Sequence, residues 1–266
     1  MAEHYPATKR EIDMVQALET ALTMPGDIGN TYNRFYPYSY QNQVHFWDQG
    51  IREPVAKMKL WNALGRTVIE GSKAFEVYVP IYAKKDKDDS DSERVFVRSK
   101  PVRRVLTYSQ TMGAELPPVQ IPGWDMQQAM GELGLREVPF QHTNGNLQGY
   151  SHGNEIAINP IAVNPTKTRV HEIGHFVLGH TMPEMLAEYE QHRGLMEFGA
   201  EAIAYLVLKE LSLLDEATAT RSRGYIQNWL RGERPPDKNV REVFNGTDKI
   251  LRAGRLTVEN VINGEE

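Results

Sequence analysis

His171-Glu172-Ile173-Gly174-His175 constrains this chain more than any other stretch. Two histidines four residues apart on an α-helix share one face, a single turn from each other. Their imidazole nitrogens can then meet one tetrahedral ion. Glu172 stands beside the first histidine and can reach a water on that ion. Zinc lowers the pKa of such a water to about 7, and a carboxylate takes its proton. This is the metal-hydrolase reading of H-E-x-x-H. The chain has no cysteine, which excludes a thiolate site and a disulfide framework. A metal would be held by histidine and carboxylate.

A five-residue motif with three fixed positions also occurs by chance on amphipathic helices, so its frame matters. Asn164 is a good helix N-cap and Pro165 a good first helical residue. Ile173, Phe176 and Val177 supply a buried side. A short strand, Glu155-Ile156-Ala157-Ile158, precedes the helix and closes at Asn159-Pro160. The next predicted helix carries Glu197-Phe198-Gly199-Ala200-Glu201. Glu197 is the expected third ligand. Glu201 is expected to support it by accepting a hydrogen bond from a ligand imidazole. The two glutamates could also exchange these roles. His180 falls one position short of an extended three-histidine motif and is read as a satisfied or solvent-facing side chain, as are His152 and His192. Tyr150 could stabilise an oxyanion, although structural packing is the commoner use of such a tyrosine.

The 266 residues suit one large domain or two modest ones. Net charge is -5, which does not indicate a globally basic nucleic-acid binder. Residues 1–120 hold 16 Lys+Arg against 15 Asp+Glu, and residues 121–266 hold 14 against 20. A local basic groove on the first part stays compatible with these numbers, because phosphate contacts are local. The N-terminal stretch has no apolar core of signal-peptide length, and no run reaches the roughly 18–20 apolar residues of a membrane span. A soluble, cytoplasmic protein is expected.

Residues 8–24 read as a helix with Ala17, Leu18, Ala21 and Leu22 on its buried stripe, ended by Pro25-Gly26. Aromatics crowd residues 32–47. A short helix is predicted over 54–63. Phe75, Val77 and Val79 alternate as a strand, Val95 and Val97 as a returning one, and a third strand is predicted over 102–106. The charge run between them, 84–94, reads as a solvated hairpin loop. Pro117, Pro118, Pro122 and Gly123 form a connector, placing a soft boundary near residue 120. Helices are predicted over 125–133, 165–179, 194–213, 216–231 and 238–253. The class is α+β: an N-terminal mixed α/β part with a small antiparallel sheet, and a mainly helical C-terminal part.

HEIGHFVLGH followed by EFGAEAIAYLV resembles the gluzincin-like metallopeptidase domains of the ImmA/IrrE and ArdC-type families. Tyr38-Ser39-Tyr40-Gln41-Asn42 with Gln49 is similar to a stretch of the ArdC-type single-stranded-DNA-binding domain. So are the block from Trp61 through Gly65-Arg66 to Gly71 and Lys73, and the segment Ser109-Gln110-Thr111-Met112-Gly113. Tyr225-Ile226-Gln227-Asn228-Trp229-Leu230 resembles a later helix of the same family. The likeness runs over about residues 30–255. It implies a single-stranded-DNA-binding unit over 1–120 and a zinc metallopeptidase unit over 121–266. It further implies carriage by plasmids, phages or other mobile elements and protection of incoming DNA against restriction.

Single-strand binders combine cations with aromatic platforms for bases. Arg34, Lys57, Lys59, Arg66 and Lys73 are the candidate DNA-binding cations, with Arg52 nearby. The bland alternative is that the aromatics are core residues. Trp61 is read as core, and Gly65 and Gly71 as turn glycines with positive φ. Two functions follow: a zinc-dependent metallopeptidase joined to a DNA-binding unit, or a non-enzymatic DNA-occluding protein with a structural zinc.

Overall fold

The structure, a computed structural model, describes residues 38–84, 94–116, 123–142, 146–230 and 234–256, together with Val15, Leu18 and Leu22. Those three residues are helical and buried, at the spacing of one helix face. The rest of the helix expected over 8–24, Arg34, the tip of the charge run and the prolines of the connector lie outside the described residues.

Helix α1 (Tyr40–Asp48) is buried on two sides. Tyr40, Val44 and Trp47 recur at helical spacing and join a large helical core, while Phe46 enters the core of a sheet. Then come β1 (Val55–Ala56), the short helix α2 (Met58–Ala63) and β2 (Arg66–Val68). β3 (Phe75–Lys84), β4 (Arg94–Thr107) and β5 (Thr111–Gly113) follow. β1, β4 and β3 form one antiparallel sheet in that order, and β2 pairs with β5. Phe46, Ile51, Val55, Val77 and Val105 fill the sheet's core.

Two expectations change here. The helix predicted over 54–63 is β1 followed by α2, because Val55 and Ala56 pair with Thr107 and Leu106. The strands predicted around 95–97 and 102–106 are a single strand, β4. Pro101 sits beyond the reach of β1, where β4 has no second neighbour among the described residues and a proline is tolerated.

The outer edge of β3 is covered by side chains of α1 and its C-terminal flank. Asn42 Nδ2 donates to the Tyr78 carbonyl at 3.0 Å and Asn42 Oδ1 accepts from the Tyr78 N–H at 2.7 Å. Gln49 does the same for Glu76, at 3.0 and 2.9 Å. Each amide thus stands in for a neighbouring strand's peptide group at an otherwise open edge.

The second part begins with α3 (Met126–Leu133), whose cap Asp125 accepts from the Gln128 N–H. A three-stranded sheet of β6 (Arg136–Glu137), β7 (Gly149–His152) and β8 (Glu155–Ile158) follows, with β8 central. Helices α4 (Pro165–Val177), α5 (Leu186–Glu210), α6 (Glu216–Leu230) and α7 (Asp237–Ala253) complete it. α5 bends at His192. Every residue of α5 from Phe198 to Leu208 is buried, the mark of a central helix packed all round. α4, α6 and α7 pack around it. The architecture is α+β, and among the described residues no helix is long and apolar enough to cross a membrane.

His45 on α1 is buried against the Tyr78 ring, and among the described residues neither of its ring nitrogens has a hydrogen-bond partner. Burial holds this imidazole down to about 4. The unfolded chain, titrating near 6.5, therefore takes up this proton before the folded one does. Stability should fall as pH drops from about 6.5 towards 4, by roughly 2–3 kcal/mol from this group. Urea melts across that range should show a flatter pH dependence for His45→Leu than for the wild type.

Candidate metal centre

The site is built on the β7–β8 hairpin and the start of α4. After β8 the chain turns at Asn159, whose side chain donates to the Leu147 carbonyl and accepts from the Ile161 N–H. Asn164 caps α4 by accepting from the Lys167 N–H at 2.9 Å, with Pro165 in the first turn. Val170 and Ile173 anchor the inner face of α4 in the large core. The face bearing His171 and His175 is then turned towards α5.

Gly174 sets how closely the two helices approach. A Cβ there would lie 3.1 Å from the Ala200 carbonyl oxygen and 3.2 Å from its Cα. Any side chain there would push the two backbones apart by a few tenths of an ångström, so glycine sets this close spacing. Glu197 and Glu201 flank Ala200 on α5, so the contact carries both carboxylates to the histidines.

The two Nε2 atoms of His171 and His175 are 3.1 Å apart. Glu197 Oε2 lies 3.4 Å from the first and 3.8 Å from the second. Ligands of a tetrahedral zinc ion, each about 2.0–2.1 Å from it, lie about 3.4 Å from one another. The three donor atoms therefore fit the edges of such a polyhedron. The other ring nitrogens are engaged elsewhere. His171 Nδ1 is 3.1 Å from Glu201 Oε2, and His175 Nδ1 is 3.0 Å from His180 Nδ1. With both Nε2 lone pairs given to a metal, the Nδ1 atoms would carry the protons, and Glu201 and His180 would accept them.

Glu197 thus faces the point where the two Nε2 atoms converge, and Glu201 stands behind His171. Lys167 Nζ is 2.7 Å from Glu201 Oε1. Lys167 lies one turn before His171 on the same helix face. Burial by itself would raise the Glu201 pKa, but the hydrogen bond from His171 and the charge of Lys167 bring it down to about 2. Burial opposes charge on His171, yet Glu197, Glu201 and Glu172 together push it up to about 10. Burial and the neighbouring His175 lower His180 to about 4. The pocket is strongly suited to positive charge.

Glu172 is 7% exposed and accepts a hydrogen bond from Ser151 Oγ on β7 at 2.7 Å. Both residues, with the three converging side chains, line a cleft of about 480 Å³. Tyr150 is on the wall of the same cleft, its ring packed against Phe140 and His142. Lys167, Ser151 and the contact of His180 with His175 were not anticipated. The position of Lys167, four residues before His171, was the one signal available for them.

Of the candidate DNA-binding cations, Lys57, Lys59 and Lys73 are exposed. Arg66 is a correction. It is 5% exposed, its Nε and Nη2 donate to Thr111 Oγ1 and the Thr111 carbonyl, its Nη1 reaches the Ala114 carbonyl, and its guanidinium stacks on Tyr108. It ties β2 to β5 and faces no solvent. Tyr40, Phe46 and Trp47 are likewise core, and Trp61 Nε1 donates to the Leu106 carbonyl. Gly65 and Gly71 have φ of 72° and 81°, as their turn reading requires.

No protein-family model matches the sequence, and no curated protein matches it. Among solved structures, the chain is similar to the antirestriction protein ArdC from plasmid R388. The Mn(II)-bound crystal structure of that protein aligns with a TM-score of 0.50 and 16% identity, over 91% of this chain and 98% of that one. Its metal-free crystal structure aligns at 0.43 and 20%, over 85% and 86%. The Mn(II)-bound likeness shows a shared fold.

The geometry separates the two glutamates experimentally. Glu197→Gln should abolish stoichiometric metal binding, as should His171→Ala and His175→Ala. Glu201→Gln should keep the metal with affinity weakened about 10- to 100-fold. Metal content by atomic emission and competition with a chromogenic chelator would measure both. Stronger loss in Glu201→Gln than in Glu197→Gln would reverse the assignment.

Proposed function

We propose that this chain is an ArdC-type antirestriction protein with a zinc-dependent metallopeptidase centre. In this reading residues 121–266 carry the peptidase unit, and residues 1–120 carry a unit that binds single-stranded DNA. It would act in the bacterial cytoplasm on behalf of a mobile element. The observation that carries the reading is the convergence of His171 Nε2, His175 Nε2 and Glu197 Oε2 beside a nearly buried Glu172 at an open cleft. A fold shared with a Mn(II)-bound antirestriction protein supports it.

The donor set of two imidazoles and one carboxylate suits zinc. A bound ion would polarise a carbonyl group and acidify water. The chain's own groups supply the rest. Glu201 and His180 fix the tautomers of the two histidines. Glu172 takes a proton from the attacking water and returns it to the departing amine, acting first as base and then as acid. Tyr150 is the candidate donor to the developing oxyanion, which would require its ring to leave the contact with Phe140 and His142. Cleavage of a peptide bond follows, in a protein bound to the same DNA or near it.

For the DNA-binding part, Lys57, Lys59 and Lys73 remain as exposed cations of the shared block, and β4 adds Arg98, Lys100 and Arg104 on the surface. Phosphate contacts of this kind give affinity that falls with salt.

Two experiments test the reading. Wild type and Glu172→Gln should hold equal zinc, while only wild type cleaves a mixed protein substrate, with a loss of about 100- to 10,000-fold in the variant. If neither cleaves, and both bind single-stranded DNA equally, the metal is structural and occlusion of DNA is the function. Separately, replacing Lys57, Lys59 and Lys73 with Glu should weaken single-strand binding and reduce the salt slope by about 2–3. Arg66→Ala should instead lower the melting temperature. Unchanged affinity in the triple variant would remove these lysines from the interface.

A further inference from the structure

β7 and β8 both pack on α4, and two residues of β7 meet the Glu172 carboxylate from the same side. Residues 149 and 151 point to one face, because side chains alternate along a strand. Ser151 Oγ donates to Glu172 Oε2 at 2.7 Å. Among the described residues this is the one hydrogen bond that Glu172 receives. Two residues earlier stands Gly149. A Cβ there would lie 2.7 Å from Thr168 Cγ2, 3.0 Å from the Ala157 carbonyl oxygen and 3.3 Å from Glu172 Oε1. The bare Cα of Gly149 thus lets β7 lie against α4 at the carboxylate.

We infer that β7 is the positioning element for the proposed base, with Ser151 holding Glu172 Oε2 and Gly149 leaving Oε1 uncovered towards the cleft. This rests on the peptidase reading. A glutamate side chain has three rotatable bonds, and its terminal torsion is broad. Burial limits where the carboxylate can go, but a single directional bond selects which oxygen faces the cleft. Oε2 is engaged by the serine, and Oε1 is left as the proton acceptor. Ser151 touches neither substrate nor metal ligand in this scheme, and its effect passes through Glu172.

The test compares Ser151→Ala, Ser151→Thr and Gly149→Ala in the zinc-loaded protein. Ser151→Ala should retain one zinc per chain and an unchanged KM. Its kcat should fall about 10- to 100-fold, the scale of one lost hydrogen bond to a charged group. Ser151→Thr, which keeps the hydroxyl, should recover most of that rate. In a Glu172→Gln background, Ser151→Ala should add nothing, since both changes act through one group. Gly149→Ala should lower kcat by displacing β7 from α4. Equal losses in the alanine and threonine variants, or additivity with Glu172→Gln, would overturn the inference. Should the wild type cleave no peptide, the peptidase reading fails, and the crystal structure of Ser151→Ala decides the positioning separately. A Glu172 carboxylate turned away or split between orientations, with α4 unmoved, supports it. A carboxylate that stays in place overturns it.

Discussion

The contact between Gly174 and Ala200 is the constraint on which the site depends. α4 carries both histidines and the central glutamate, and α5 carries the other two carboxylates. Neither helix holds a complete site. Their donor atoms meet because α4 lacks a side chain where it crosses α5, so the backbones approach to within one small residue. The same helix–helix seam is extended by Gly246 of α7, whose Cβ would clash with Ile203 Cδ1 at 2.6 Å and approach Val177 Cγ2 at 3.2 Å. Small residues at these crossings set the spacing, and the burial of α5 from Phe198 to Leu208 holds it rigid.

That rigidity permits an unfavourable charge arrangement. Glu172, Glu197 and Glu201 lie together, and Lys167 pairs with Glu201 at 2.7 Å. Arg193 lies 4.0 Å from Glu197 but is largely exposed, so screening weakens its contribution. Buried carboxylates are costly unless paired. Without a metal, the site answers by drawing a proton onto His171, against the effect of burial. A divalent cation among the same three donor atoms would meet this excess of negative charge while releasing that proton, which links metal affinity to pH in the usual direction. The ion pair of Lys167 with Glu201 matters for a related reason. Together with the hydrogen bond from His171 it keeps Glu201 ionised, so that the carboxylate accepts from His171 Nδ1 while Nε2 faces the cleft.

Much of this was legible in the sequence because it is local. The histidine spacing, the Asn164 cap, the limits of β8 and the limits of α4, α6 and α7 follow from periodicity and capping within a few residues, whereas α5, predicted over 194–213, begins already at Leu186 and ends at Glu210. What was missed depends on strand pairing or helix crossing. β7 reads Gly-Tyr-Ser-His, without apolar alternation, since its stability comes from pairing with β8 rather than from its own pattern. Ser151 was therefore invisible as a neighbour of Glu172. The pair of Lys167 and Glu201 spans 34 positions and exists only once α4 lies on α5. Arg66 shows the opposite error. Its charge reads as surface, yet β2 turns it onto Thr111 of β5, where carbonyl oxygens and the Tyr108 ring satisfy it. β4 read as two strands, around 95–97 and over 102–106, because sequence patterns do not reveal which stretch of a strand has one neighbour and so tolerates a proline.

The same contrast bears on the N-terminal part. Asn42 and Gln49 close the edge of β3, Trp61 and Arg66 fasten α2 and β2 to their neighbours, and Gln110 Nε2 donates to the Lys73 carbonyl. These are the residues that carry the resemblance to a single-stranded-DNA-binding domain, and each is occupied with holding its own fold together. Motif residues of this kind keep the scaffold's shape, and their polar groups are already engaged within it. Under the proposed DNA-binding function, contact with nucleic acid would fall to exposed cations, Lys57 and Lys59 beside the motif positions and Lys73 within the motif block. Under the same proposal, mutating these buried motif residues would weaken binding indirectly, by loosening the scaffold. Mutating Lys57, Lys59 or Lys73 leaves every hydrogen bond described above in place, except that Lys73 must keep its backbone carbonyl where Gln110 finds it.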